Sequence, residues 1–212
     1  MAKANAAPAR RDPTKRATIL AVAWESFLRD GYAGASMSEI TERVGGSKST
    51  IYNHFRSKEE IFLEGMQEKA DQIYAGLEEL PRNTGDLSRD LIEFGCKLLE
   101  IVLSEDYLHF YRLVVAEAGR FPAIGEAEYE NRRRRMLGPL SARLHAEMVG
   151  ERLRLGDPLE AAEVLWNLFS ASLHRRALTA TGSAFTRAEI RRLAERAVAI
   201  FLAAFGPVGE RR

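Results

Sequence analysis

Cysteine is nearly missing from this chain: Cys96 is the only one in 212 residues. That excludes an intrachain disulfide framework and any zinc or iron–sulfur site built from several cysteines. A reducing cytosol is the simplest setting for such a chain. Long apolar runs are also missing, and none approaches the ~18–20 residues that a membrane span needs. The opening stretch MAKANAAPARRDPTKR has no apolar h-region, so no secretory signal is read there and a cytoplasmic location is expected. Proline is sparse at 7 residues, while hydrophobic residues reach 46% and charged ones 29%. This balance is that of a folded globular chain rather than a disordered one.

Catalytic signatures are lacking too. The four histidines (54, 109, 145 and 174) form neither an i, i+4 pair nor an H-E-x-x-H motif, so no metal site is expected. No serine lies in a G-x-S-x-G elbow and no glycine-rich phosphate loop occurs. Cys96 reads as a small buried hydrophobe. Neither an enzyme nor a cofactor is implied.

What is present is helical periodicity throughout, with no alternating strand, repeat or low-complexity segment. Residues 1–11 read as a mobile basic arm. Asp12-Pro13 reads as an N-cap followed by proline at N1. Leu20, Ala23, Trp24, Phe27 and Leu28 then share one helical face, and Gly31 supplies the stop. Ser36-Met37-Ser38-Glu39 has the S-x-x-E form of a capping box. It opens a short helix bearing Met37, Ile40 and Val44, which Gly45-Gly46 ends. Ser47 caps the next helix, whose inward positions are Ile51 and Phe55. Ser57-Lys58-Glu59-Glu60 is a second capping box, opening a long helix to about residue 80 with Ile61, Phe62, Met66, Ala70, Ile73 and Leu77 inward.

Further helices are expected near 86–103, 106–121, 125–150, 157–180 and 186–205, separated by Pro81 and Gly85, Phe121-Pro122, Gly156-Asp157-Pro158 and Thr181-Gly182-Ser183. The fold class is therefore all-α, with about nine helices. Three domains are read: the arm at 1–11, a helix-turn-helix unit at 12–58, and a larger helical bundle at 59–212.

Charge divides along the same line. Residues 1–58 hold 10 Lys/Arg against 5 Asp/Glu, whereas the remainder holds 21 against 25. A basic head on an acidic body suits a polyanion at one end only. Two short helices joined at Gly45-Gly46 and braced by the helix before them make a helix-turn-helix. Its second helix fits the DNA major groove, where N-terminal side chains meet base edges. Ser47, Lys48, Ser49, Thr50, Tyr52, Asn53 and His54 supply hydroxyls, an amide and cations on the face read as opposite Ile51 and Phe55. Helix N-termini at Ser36 and at Ser57-Lys58 add phosphate-binding ends beside it.

The stretch from Ile19 to Met66 resembles the DNA-binding domain of the TetR family of bacterial regulators. The matching residues are Ile19-Leu20, Phe27, Gly31-Tyr32, Ser36, Ile40, Gly45, Ser47-Lys48-Ser49-Thr50, Ile51-Tyr52, His54-Phe55 and Lys58-Glu59-Glu60. The resemblance implies that Ser47, Lys48 and Thr50 face the groove, that Tyr52, His54 and Lys58 hold phosphates, and that Ser36 touches the backbone. Two positions depart from the family pattern: Gly46 stands where an apolar residue usually plugs the turn, and Ser49 replaces a common glycine. Residues 107–160 are similar to one C-terminal subgroup, through Arg112 to Ala118, Arg120-Phe121-Pro122 and Asp157-Pro158.

The resemblance further implies a homodimer joined by the last two long helices, a palindromic double-stranded DNA operator, a small-molecule effector and no membrane partner. The effector site is expected at Phe94, Leu98, His109, Leu113, Glu117, Tyr129, Trp166 and Phe169, which suit a mostly apolar ligand with one or two polar anchors. Glu117 interrupts an apolar stretch, either as an exposed helix residue or as a polar hook. Arg132 to Arg135 point four ways around a helix and read as a solvated helix start. Trp166 and Phe169, and the stripe Ile190, Leu193, Ala197, Ile200, Phe201 and Ala204, read as core, with small residues allowing a partner chain to pack close. Two other functions stay open on the residues alone: a helical enzyme or lipid-handling protein with an incidental basic head, and a DNA-binding factor without an effector.

Overall fold

A computed structural model describes residues 13–77, 83–171, 173–179 and 185–207. The basic arm, the Asp12 cap, the breakers Pro81 and Thr181-Gly182-Ser183, and the expected helical extensions at 78–80 and 180 lie outside the described residues. Within them all regular structure is helical. No helix is long and apolar enough to cross a membrane.

The chain divides into two compact units, one through Lys69 and the other from Ala70. The division falls inside the fourth helix, later than the 58/59 boundary read from the sequence. The first turns of that helix pack with the shorter ones: Phe62 lies edge-on to Phe27 and tilted against Tyr32, both at 4.9 Å.

In the first unit, α1 (Pro13–Gly34) buries Ile19, Leu20, Ala23 and Phe27 on one face. Its regular path breaks at Gly31, whose φ of 70° is the left-handed conformation glycine adopts at little cost. α2 (Met37–Val44) starts at Ser36, whose side chain accepts from the Ser38 amide at 3.3 Å. Glu39 does not complete the expected box, because it pairs with Arg29 at 2.6 Å instead. α3 (Lys48–His54) and α4 (Lys58–Tyr74) follow, with Ile40, Ile51, Phe55 and Ile61 almost fully buried. A 3₁₀ turn at Ala75–Leu77 ends the long helix.

The second unit contains α5 (Leu87–Val102), α6 (Glu105–Glu117), α7 (Pro122–Arg132), α8 (Gly138–Val149), α9 (Pro158–Ser170), α10 (Leu173–Thr179) and α11 (Arg187–Phe205). Asp86, Ser104, Asp157 and Thr186 cap α5, α6, α9 and α11 through their side-chain oxygens. The helix expected over 125–150 begins at Pro122 and runs through a π-helical turn, Arg133–Leu137, into α8. The one expected over 157–180 is two helices, α9 and α10.

The core of this unit gathers Leu91, Phe94, Leu98, Leu140, Leu144, Leu165, Phe169 and Phe201. Gly95 makes room for it: a Cβ there would lie 2.3 Å from the Phe169 ring. One buried ionic group sits among these helices. Arg143 donates to Asp90 at 3.1 Å and to Glu147 at 2.8 Å, and Arg152 also reaches Glu147.

The α11 stripe divides differently from the expectation. Ile190, Ala194, Ala197, Val198 and Phe201 are buried, whereas Ile200 is 46% exposed and Ala204 is exposed. Ile200 and Ala204 are i, i+4 neighbours and form an outward apolar strip.

Candidate nucleic-acid interface

The turn between α2 and α3 is set by local chemistry. Gly45 is left-handed (φ 68°) and its amide donates to the Glu42 carbonyl at 3.1 Å, closing α2. Ser47 and Thr50 form a reciprocal cap at the start of α3. The Thr50 amide donates to Ser47 Oγ at 3.2 Å, and the Ser47 amide donates to Thr50 Oγ1 at 3.3 Å.

Two cations of α1 brace this unit. Lys15 Nζ donates to the carbonyls of Val44 (2.9 Å) and Gly45 (3.2 Å), at the C-terminus of α2. Arg16 donates to the His54 carbonyl at 2.9 Å, at the C-terminus of α3. Its guanidinium lies 4.1 Å from the Phe55 ring centroid and pairs with Glu64. Lysine and arginine satisfy the orphan carbonyls of helix ends in this way. In the sequence both residues count only toward the basic charge of residues 1–58.

The outward side of α3 carries Ser47, Lys48, Ser49, Tyr52 and Asn53, all exposed, with Tyr52 at 51%. Ser36 is exposed at the N-terminus of α2. Thr50 is half-buried, its hydroxyl held in the cap. Lys58 is half-buried, its ammonium 4.6 Å from the Tyr32 ring centroid and 3.5 Å from the Ala33 carbonyl. His54 overturns the expectation. It is 9% exposed, because positions 51, 54 and 55 stand at i, i+3 and i+4 and share the inner face. No hydrogen-bond partner for its Nδ1 occurs among the described residues.

In the second unit the expected ligand residues separate. Phe94, Leu98, Leu113, Trp166 and Phe169 are buried, with the rings of Phe94 and Phe169 6.4 Å apart. Glu117 is half-buried. His109 and Tyr129 are exposed and not brought in with them: His109 lies 4.0 Å from Glu105 on the same helix, and Tyr129 lies beneath the Arg132 guanidinium at 5.3 Å.

A polar and aromatic cluster that the sequence reading missed lies elsewhere in this unit. Tyr74 donates to Glu128 at 3.2 Å in a buried setting. Tyr107 stacks on Tyr111 at 5.7 Å, and His174 lies 5.5 Å and 5.2 Å from these two rings. Burial raises the carboxyl of Glu128 against the opposing pull of Arg132 and the Tyr74 hydroxyl. Burial also lowers His174 to about 4, so its imidazole is neutral at pH 7. The signal in the sequence was two i, i+4 pairs, Tyr107 with Tyr111 and Glu128 with Arg132.

Comparison with known proteins gives the following. Residues 19–64 match the family model described as bacterial regulatory proteins of the tetR family. Residues 89–207 match the C-terminal domain of AefR-like transcriptional repressors. The transcriptional activator FasR of Mycolicibacterium smegmatis is 32% identical over 104 residues, covering 44% of this chain and 48% of FasR, so the chain spans about half the length of that relative. The structure of a TetR-family transcriptional regulator from Mesorhizobium loti superposes with a TM-score of 0.81 at 30% identity, covering 91% of this chain and 97% of that one. The flavonoid-responsive regulator FrrA superposes with a TM-score of 0.82 at 26% identity, covering 93% of this chain and all of FrrA (100%).

Proposed function

The chain belongs to the TetR family of bacterial transcriptional regulators, DNA-binding proteins rather than enzymes, and from that premise we propose that it is a ligand-responsive repressor. It binds a palindromic operator as a homodimer and is released by a small, mostly apolar effector. The observation that carries this reading is the exposed polar face of α3, a helix held at its start by the Ser47–Thr50 cap and at its end by Arg16, while Lys15 holds the end of α2.

Each protomer inserts α3 into a major groove, with Lys48, Ser49 and Asn53 toward base edges and Tyr52 and the N-terminus of α2 toward phosphates. Ser47 and Thr50 set the pitch of α3 through their cap. Lys58 contributes its charge from a half-buried position. The half-sites lie about one helical turn apart, ~34 Å, or a multiple of it. The partner protomer packs on the outward faces of α9 and α11, where Val164, Ile200 and Ala204 are exposed. The C-terminal match to AefR-like repressors supports repression as the sign of control, and the name of FrrA supports an effector of small-molecule type. The protein acts in the cytoplasm, where its DNA is.

The effector works by preferring the conformation in which the two α3 helices are wrongly spaced. A coupling of about 1–3 kcal/mol changes DNA affinity about 5–150-fold. Genome-wide capture of fragments bound by the full-length protein tests the reading. The expected result is one shared inverted repeat with the spacing above. Captured fragments with no common motif, or a motif without two-fold symmetry, overturn it.

A further inference from the structure

We propose that the effector is a planar aromatic compound bearing a phenolic hydroxyl, recognised by Tyr111, Arg132 and His174 over the buried Tyr74, Tyr107 and Glu128. This rests on the ligand-responsive reading above and names the chemistry of its site.

Four helices bring the six residues together: the end of α4 (Tyr74), α6 (Tyr107, Tyr111), α7 (Glu128, Arg132) and α10 (His174). Tyr74, Tyr107 and Glu128 are buried, whereas Tyr111, Arg132 and His174 are half-buried. Arg112 fixes α10 in place by donating to the carbonyls of Ala177 (2.8 Å) and Leu178 (3.2 Å) at its C-terminus.

Two nitrogens of the half-buried residues, Arg132 Nε and His174 Nε2, are buried with no hydrogen-bond partner among the described residues. Such atoms are rare in folded proteins because desolvation is left uncompensated. Here both fall in one cluster, and a π-helical turn, a feature common at functional sites, begins at the next residue, Arg133.

The chemistry of the members selects the ligand group. The Arg132 guanidinium only donates, the Glu128 carboxyl accepts from Tyr74, and the neutral imidazole of His174 donates or accepts according to tautomer. A hydroxyl both donates and accepts, so it satisfies either nitrogen without adding charge. A carboxylate would oppose Glu128, and an ammonium would oppose Arg132. A hydrocarbon would leave both nitrogens unpaired. The ring faces of Tyr111 and His174 suit offset stacking against an aromatic ligand.

The test is isothermal titration of the full-length protein with four matched probes: 2-naphthol, naphthalene, 2-naphthoate and trimethyl(2-naphthyl)ammonium. Wild type is expected to bind 2-naphthol at least tenfold more tightly than the other three. His174→Phe and Arg132→Met each lose at least tenfold for 2-naphthol and stay within twofold for naphthalene. Unliganded His174→Phe keeps or raises its melting temperature, because it removes an unpaired buried nitrogen; a residue kept only for structure would not combine that with lost affinity. Equal binding of all four probes, binding of none, preference for a charged probe, or variants with wild-type affinity overturns the proposal. DNA capture is read separately. The expected probe pattern without a shared DNA motif upholds the site and sinks the repressor reading; a motif without 2-naphthol binding does the reverse.

Discussion

Replacing Arg143 with methionine removes the cation from a place water hardly reaches. The side chains of Arg143, Asp90 and Glu147 are 7%, 0% and 1% exposed. Removing one partner of a buried pair costs about 3–5 kcal/mol, because the charge left behind has lost its hydration as well. Here each carboxylate keeps other donors. Asp90 retains the Thr84 amide (2.9 Å) and hydroxyl (2.6 Å), and Glu147 retains Arg152. The expected loss is therefore at the lower end, about 3 kcal/mol, which for a chain of this size is a fall of about 6–12 °C in Tm. Calorimetric melts at matched protein concentration measure it, since association also moves Tm.

The pH dependence has a definite sign. Burial raises the Asp90 carboxyl, but the Thr84 hydroxyl and amide, with Arg143, more than reverse this and hold it below the usual range. Glu147 is held low chiefly by its hydrogen bond from Arg152, with Arg143 adding to the pull. A carboxylate whose folded pKa is lowered stabilises above its unfolded pKa of about 4, and the contribution is lost as pH falls through the folded value. In wild type it is thus intact from about pH 5 upward. Without Arg143 the Asp90 carboxyl loses part of the pull that holds it down and rises from its wild-type value, so the deficit of the variant is largest at pH 7 and shrinks as pH falls and the carboxylates protonate. A fall under about 2 °C at pH 7, or a deficit that does not shrink as pH is lowered through the carboxylate range, would refute this account of the buried group.

Other outcomes are expected. Lys48→Ala and Tyr52→Phe weaken operator binding in a mobility shift, the lysine change by about 1–3 kcal/mol per half-site; two variants that bind like wild type take α3 out of the groove. Operator affinity falls by about 10³–10⁵ between 50 and 200 mM salt if six to ten phosphates are neutralised, and a flat profile contradicts a phosphate-dominated contact. Gly95→Ala forces a methyl to within 2.3 Å of the Phe169 ring and lowers stability by about 1–3 kcal/mol, read as Tm; an unchanged Tm means the ring yields without cost. Ile200→Glu places a charge on the outward strip of α11 and shifts sedimentation toward monomer, whereas an intact dimer moves the interface elsewhere.

What could be read from the residues follows the range over which each feature is decided. The all-helical class, the break at Gly31, the caps at Ser36 and Ser47 and the inward Ile51 and Phe55 are settled within one or two turns, where spacing and cap chemistry act. The inward place of His54 is also legible in the spacing, since i+3 from Ile51 lies on the same face. The split stripe of α11 is a different matter. Its period is sound, but which of its two edges is covered depends on α5 and α9, far away in sequence. The same holds for Lys15 and Arg16, whose partners lie 29 and 38 residues on. The polar cluster is not legible in the sequence because Glu128 and Arg132 sit in a helix of ordinary charge pattern, and only the approach of α6 and α10 makes that carboxyl buried. Glu117 drew attention by interrupting an apolar run, yet a half-buried position at the end of α6 leaves it near water.

Of the two departures from the family pattern, Gly46 is explained by Thr50. A Cβ at position 46 would lie 3.2 Å from Thr50 Oγ1 and 3.3 Å from its Cβ, tighter than most real contacts. The space beside the turn is therefore taken by the threonine side chain, folded back to complete the cap with Ser47. An apolar plug stabilises a turn by burial. This turn is held by a pair of hydroxyls at one helix end and by the Lys15 ammonium at the other. Polar pairs of this kind hold direction better than they add stability, and direction is what the first residues of a groove-reading helix require. The glycine costs backbone entropy, but it lets a serine and a threonine, rather than a bulky side chain, decide the angle at which Lys48 and Ser49 leave the protein.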